Sequence, residues 1–190
     1  MQTYLQPKPG DNGALCISPA TLQAADILVS TGPKLSSRVS RGASKVSHAA
    51  IYRGDGNVIE ALNDQGVICR PIQLAMKEAT FAIAYRVRHI SARQRDVVIS
   101  AAMSPVQEHA EYDWKGVVLR VLCILTGSAS VCRGRPGITD KFYCSDLVWK
   151  AFDAAGVSIV DKNKPAPGDP GQFVEAYYSD NKLEYVGQLV

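Results

Sequence analysis

Two widely separated segments carry side chains suited to nucleophilic chemistry. Phe142-Tyr143-Cys144-Ser145-Asp146-Leu147-Val148-Trp149-Lys150-Ala151-Phe152 places a thiol at the start of a helical pattern. Ser47-His48-Ala49-Ala50-Ile51-Tyr52 places an imidazole in a strand-like run. The unpaired N–H groups and positive dipole end of a helix N-terminus stabilise a thiolate. An imidazole brought to it by the fold can take and return a proton. Cys144, Leu147, Val148, Ala151, Phe152 and Ala155 recur at the i, i+3, i+4 spacing of one apolar stripe, so the thiol faces the core at the first turn. On the helix pattern alone, a small buried hydrophobe is the commoner role for such a cysteine.

The second segment changes that weighing. Side chains alternate along Ser47 to Tyr52, which puts His48, Ala50 and Tyr52 on one face, and the two alanines leave room beside the ring. Asn57-Val58-Ile59-Glu60-Ala61 follows, with a carboxylate inside an apolar strand. Between them, Arg53-Gly54-Asp55-Gly56 is a strong hairpin signal. If Gly54-Asp55-Gly56 is a three-residue loop, Arg53 pairs with Asn57, Ala50 faces Glu60, and Glu60 lies diagonally from His48 on the same face. A two-residue loop sends Glu60 to the opposite face. Activity unchanged in Glu60→Gln would point instead to Asn57, Asn63 or a backbone carbonyl as partner of the imidazole. His89 and His109 sit beside charged residues and read as solvated.

The elements that must position these groups follow from pattern and punctuation. Residues 1–24 are irregular and rich in Pro and Gly, an arm or strand on the core. Strands are expected at Asp26 to Ser30, Ser47 to Tyr52, Asn57 to Leu62, Gly66 to Ile72, Phe81 to Val87 and Leu183 to Leu189. A helical turn is expected at Leu74 to Ala79. A helix capped by Ser91 should cover Ala92 to Ser104, with Pro105 interrupting it, and another should run from about Trp114 to Leu125. The Cys144 helix should end at Gly156. Residues 126–139 and 163–171 read as loops. Strands cluster early and helices late, so the fold class is α+β.

Composition bounds the rest. The chain has 190 residues, 46% of them hydrophobic and 21% charged, which suits one globular domain over 1–190. A net charge of +3, from 21 Lys+Arg and 18 Asp+Glu without a basic block, argues against nucleic acid as partner. The first thirteen residues lack an apolar core of the signal-peptide kind, and the most apolar run, Val117 to Leu125, is broken by Arg120 and too short to span a bilayer. The expectation is a protein made soluble, without a signal peptide or transmembrane segment. The five cysteines show no zinc-ligand spacing, so neither metal nor cofactor is expected. Cys123 and Cys132 flank a Gly/Ser-rich loop; free thiols there are favoured over a disulfide.

"SHAAIYRGDGNVIEAL" followed at a distance by "FYCSDLVWKAF" resembles the circularly permuted branch of the papain-like NlpC/P60 superfamily, the YaeF/YiiX-like cysteine amidases. Ordinary members place the Cys helix before the His strand; here His48 precedes Cys144. "AADILVSTG" resembles the opening strand, with Ala25 where Gly is usual. "YDWKGVV" resembles the Tyr segment before the Cys helix, and "GDPGQF" the segment after it. The resemblance implies a papain-like fold, a small antiparallel sheet packed against the Cys helix. It implies Cys144 as nucleophile, His48 as base and Glu60 as third polar residue, with Tyr112 as a candidate oxyanion donor. The implied activity is amide hydrolysis, in peptides of bacterial peptidoglycan. A signal-less catalytic domain of this kind would fit an exported antibacterial effector acting in a periplasm, with a delivery or immunity protein as partner. Lipid acyl transfer at the same site, with Val117 to Leu122 against acyl chains, and a non-catalytic binding module are the alternatives.

Overall fold

The computed structural model describes residues 7–8, 14–31, 46–113, 141–159, 170–179 and 181–189. Nine strands and four helices lie within them: β1 (Ala14–Ile17), β2 (Ile27–Thr31), β3 (His48–Gly54), β4 (Asn57–Leu62), β5 (Gly66–Pro71), α1 (Ile72–Glu78), β6 (Phe81–Val87), α2 (Ala92–Gln107), β7 (Glu111–Tyr112), β8 (Lys141–Phe142), α3 (Cys144–Ala154), α4 (Pro170–Ser179) and β9 (Leu183–Leu189). Seven strands form one sheet in the order β1-β9-β6-β2-β3-β4-β5, and β7 and β8 form a short parallel pair. Neighbours in the large sheet are antiparallel except β1 and β9, which run parallel. The architecture is α+β and papain-like, as expected, on a sheet larger than the small one anticipated.

The sheet divides its strands between two apolar layers. Ala49 and Ile51 of β3, with Ile59, Ala61, Ile27, Val29, Ile83 and Tyr85, pack with Leu147, Val148, Ala151 and Phe152 of α3. Ala50, Tyr52, Val58, Leu28 and Ala84 meet Ile72 on the other face. This period-two division is what fixes strand register. The apolar stripe of α3 is buried as expected. The helix closes in a Schellman motif: Val157 N–H donates to the Phe152 carbonyl and Gly156 N–H to that of Asp153, with Gly156 left-handed at φ 71°.

The β3–β4 connection departs from the expected three-residue loop. Gly54 pairs with Asn57, so the turn itself is Asp55-Gly56, both left-handed, at φ 51° and 73°. The exposed Arg53 is then an extra residue, bulged between Tyr52 and Gly54. Beyond the bulge, Tyr52 pairs with Val58 and Ile51 with Ile59, the pairing an odd loop would produce. A two-residue turn and a one-residue bulge therefore keep Glu60 on the His48 face.

Two other differences are local. α2 runs through Pro105, which leaves the Ala101 carbonyl without its i→i−4 donor, and ends two residues later at Gln107. Pro170 and Gly171 belong to the first turn of α4, where proline at the first helical position costs no hydrogen bond. Of the arm or strand expected within residues 1–24, β1 is the strand. The expected helix at 114–125, the 126–139 loop and the Cys123–Cys132 question lie outside the described residues.

Candidate active site

The start of α3 is left without a side-chain cap. Tyr143 occupies the N-cap position with extended backbone and makes no capping bond. The first-turn donors are therefore available to the Cys144 thiol, which takes hydrogen bonds from Ser145 N–H and from Ala49 N–H of β3. Cys144 is buried, 6% exposed. Asp146, an acidic residue in the same turn, is paired with Lys150 Nζ at 2.9 Å, and that ammonium also lies 4.9 Å from the Phe142 ring centre. The pair limits how far the Asp146 charge opposes a thiolate.

His48 opens β3 and lies between the thiol and a carboxylate. Its Nε2 is 2.6 Å from Glu60 Oε2, and its ring is also hydrogen-bonded to Cys144, leaving Nδ1 for the thiol. An ionised carboxylate only accepts, so Nε2 carries the proton of the Glu60 bond. Glu60 is 1% exposed, in the interior strand β4 between β3 and β5. Its second oxygen, Oε1, accepts from Arg70 Nε, and Arg70 Nη2 reaches Glu78 Oε2 at 2.8 Å.

The electrostatics follow from this alternation of charge. Burial opposes the charged form of His48, but the Cys144 thiolate and Glu60, each by charge and hydrogen bond, push its pKa up to about 10. Burial likewise works against ionised Glu60, yet His48 and Arg70 hold it below the usual carboxylate range. The Cys144 thiol is lowered too: desolvation is outweighed by the imidazolium and by the Ala49 and Ser145 N–H groups. The arrangement favours a buried thiolate–imidazolium pair, backed by a carboxylate and an arginine.

Tyr112 also comes to the site. β7 pairs with β8 so that Tyr112 lies beside Phe142, two residues before the thiol. Burial, then the charges of Cys144 and Asp113, raise its hydroxyl pKa, so Tyr112 stays a neutral donor. Gly66 permits the approach of this segment: a Cβ there would meet the Ala110 carbonyl oxygen at 2.3 Å, and Val67 N–H donates to the same oxygen at 2.9 Å. His89 and His109 are exposed, as expected.

Sequence reasoning missed Arg70. The signal was available: the hairpin register that pairs Glu60 with Ile68 puts Arg70 on the same face, one diagonal step away. Among the described residues, no group of three or more His, Cys, Asp or Glu is placed to hold a metal ion. No described helix is long and apolar enough to cross a membrane.

No protein-family profile matches the chain. A curated protein of Escherichia coli, "Probable lipoprotein peptidase YaeF", is 28% identical over 202 aligned residues, spanning 91% of this chain and 73% of that protein. The crystal structure of "metalloprotein yiiX" from Escherichia coli superposes with a TM-score of 0.54 at 21% identity, covering 90% of this chain and 89% of that one. The resemblance drawn from the His and Cys segments thus extends over nearly the whole chain and to the fold.

Proposed function

We infer that this chain, a YaeF/YiiX-like protein of papain-like fold, is a cysteine hydrolase of amide bonds. The observation that carries the reading is His48 held between the Cys144 thiol and Glu60. The peptidase name of YaeF supports the same reaction class.

In the proposed cycle, the Cys144 thiolate attacks the amide carbonyl carbon and the carbonyl π electrons move to oxygen. The backbone N–H of Cys144 and the Tyr112 hydroxyl receive that oxyanion. Collapse breaks the C–N bond, and the imidazolium Nδ1–H protonates the leaving amine. The acyl-enzyme remains with neutral His48. Water then attacks, giving its proton to His48, and the carboxylic acid departs as the thiolate–imidazolium pair is restored. Glu60 fixes the ring orientation and supports its charged form throughout. Among the described residues no three His, Cys, Asp or Glu are placed to hold a metal ion, so no step is routed through one, although the yiiX that superposes on this chain is a metalloprotein.

The proposed substrate is a peptide amide of peptidoglycan, with Cys144, His48 and Glu60 as the catalytic residues of one domain over 1–190. Export to a periplasm and action as an antibacterial effector extend this reading. The acyl-chain alternative rests on residues 117–122, outside those described. Incubation of the full chain with purified peptidoglycan and, in parallel, with phospholipid vesicles tests the reading by mass spectrometry. New amine and carboxylate termini from peptidoglycan, absent with Cys144→Ala, are expected. Lysolipid or acyl transfer products alone would overturn the substrate, and no product with either would overturn the activity.

A further inference from the structure

We propose that Arg70 is a positioning residue for this site, keeping Glu60 ionised and oriented while His48 changes charge. The proposal rests on the hydrolase reading above. Its ground is the division of the Glu60 carboxylate: Oε2 faces His48 and Oε1 faces Arg70, with the carboxylate wholly enclosed.

A buried carboxylate needs a cation beside it. In the resting site there are two, the imidazolium and the guanidinium. Once the imidazolium has given its proton to the leaving amine, the ring is neutral and that partner is gone. A buried Glu60 with no other cation would then recover a proton, and could no longer draw charge back onto the ring for the water step. A guanidinium cannot exchange its proton in this way, because it stays charged at every working pH. Arg70 supplies that constant charge, through a side chain only 12% exposed.

The fold aims it. Val58 pairs with Arg70 and Glu60 with Ile68 across β4 and β5, so the guanidinium reaches Glu60 along the diagonal of one sheet face. Its outer end is steadied by Glu78 in the last turn of α1, a half-exposed residue. The charged and titratable groups around Glu60 are thus His48 from β3 and Arg70 from β5. Beyond them are Cys144 from α3, Glu78 from α1, Tyr112 beside the thiol from β7, and Asp113 next to Tyr112.

The pH dependence of Cys144 alkylation by iodoacetamide, read on the intact chain by mass spectrometry, tests this without a substrate. Glu60 is held ionised, so its support for the imidazolium persists as pH falls and is lost only on the acid limb. Removing a cation in contact with a carboxylate raises that limb by about one pH unit, which is about tenfold in rate at a pH on the limb. Arg70→Met should show that shift and Arg70→Lys a smaller one in the same direction. Glu78→Gln should stay within about twofold of wild type, since Glu78 itself is half-exposed to solvent. A folded Arg70→Met with an unmoved limb, while wild-type Cys144 labels faster than Cys16, overturns the role of Arg70 alone. Wild-type Cys144 labelling no faster than Cys16 overturns the hydrolase reading and this inference together. Should Arg70→Met lose its circular dichroism, Arg70→Lys decides by the same criterion.

Discussion

Asp26 and Glu60 are buried carboxylates of one sheet, and each meets an arginine, yet they divide their oxygens differently. Asp26 gives both to Arg86, at 2.8 Å from Nε and 2.7 Å from Nη2, and Oδ2 also accepts from Gln23 N–H. The result is a closed, bidentate pair, tying the start of β2 to β6. Glu60 gives one oxygen to Arg70 and the other to an imidazole, which connects it to a thiol. The same residue types thus build a clasp in one place and a proton-handling chain in the other. What separates them is whether the second oxygen meets a group that titrates.

The comparison breaks first at the thiol. Cys144→Ala and His48→Ala should each lower activity by about 10⁴-fold or more, with thermal unfolding close to wild type. Turnover in Cys144→Ala above a trace would remove the nucleophile from the account. Asp26→Asn should do the reverse. Arg86 then loses its anion in a buried setting, and stability should fall by about 3 kcal/mol, more than a hundredfold in the folding constant. Activity per folded molecule should hold, measured by urea titration alongside assay. If Asp26→Asn leaves stability intact, the clasp contributes nothing net.

Smaller changes sharpen the contrast. Glu60→Gln should reduce activity by about ten- to a hundredfold, less than loss of the base, because an amide can still orient the ring but cannot balance its charge. Activity of the wild type should also fail toward alkaline pH. His48 is raised from 6.5 to about 10, so the imidazolium persists through neutrality and is lost as pH rises through that value. A pH–rate profile already falling through pH 7 would contradict this. The smallest effect concerns Ala25, which sits left-handed at φ 69°, buried beside the Asp26 clasp. Ala25→Gly should raise stability by about 0.5–1 kcal/mol by relieving that conformation, seen as a small upward shift in Tm.

Much of this was legible because local pattern and tertiary demand agreed. The α3 stripe, the β6 and β9 alternations and the Ser91 cap each state their element in a few neighbouring residues, and each is present. The β3–β4 register was legible in its outcome but not its means, since one bulged residue is invisible to alternation. Ala25 was legible as an oddity, an alanine where resemblance leads one to expect glycine, and its left-handed backbone gives the reason for that expectation. The parallel β1–β9 pair was not legible, because no local signal tells a strand which distant strand it will join. Arg70 was overlooked for a related reason. Its role lies in a diagonal contact across a hairpin, visible only once register is followed one strand beyond the catalytic pair.

The parallel pairing of β1 with β9 also sets an order in time. Ala14 pairs with Gly187, and β6 receives one of its two neighbours only when β9 arrives. On a growing chain, β2 to β6 can pair among themselves long before the β1–β9 edge is finished. The imidazole and its carboxylate are therefore assembled while Cys144 is still unmade. Nascent chains ending before α3 would carry the acid–base half of the site without its nucleophile, and sheet closure would be a late, non-local step. Pulse-labelled amide exchange during refolding should accordingly protect β2 to β5 before β1 and β9. Simultaneous protection of all seven strands would mean that the sheet forms in one step.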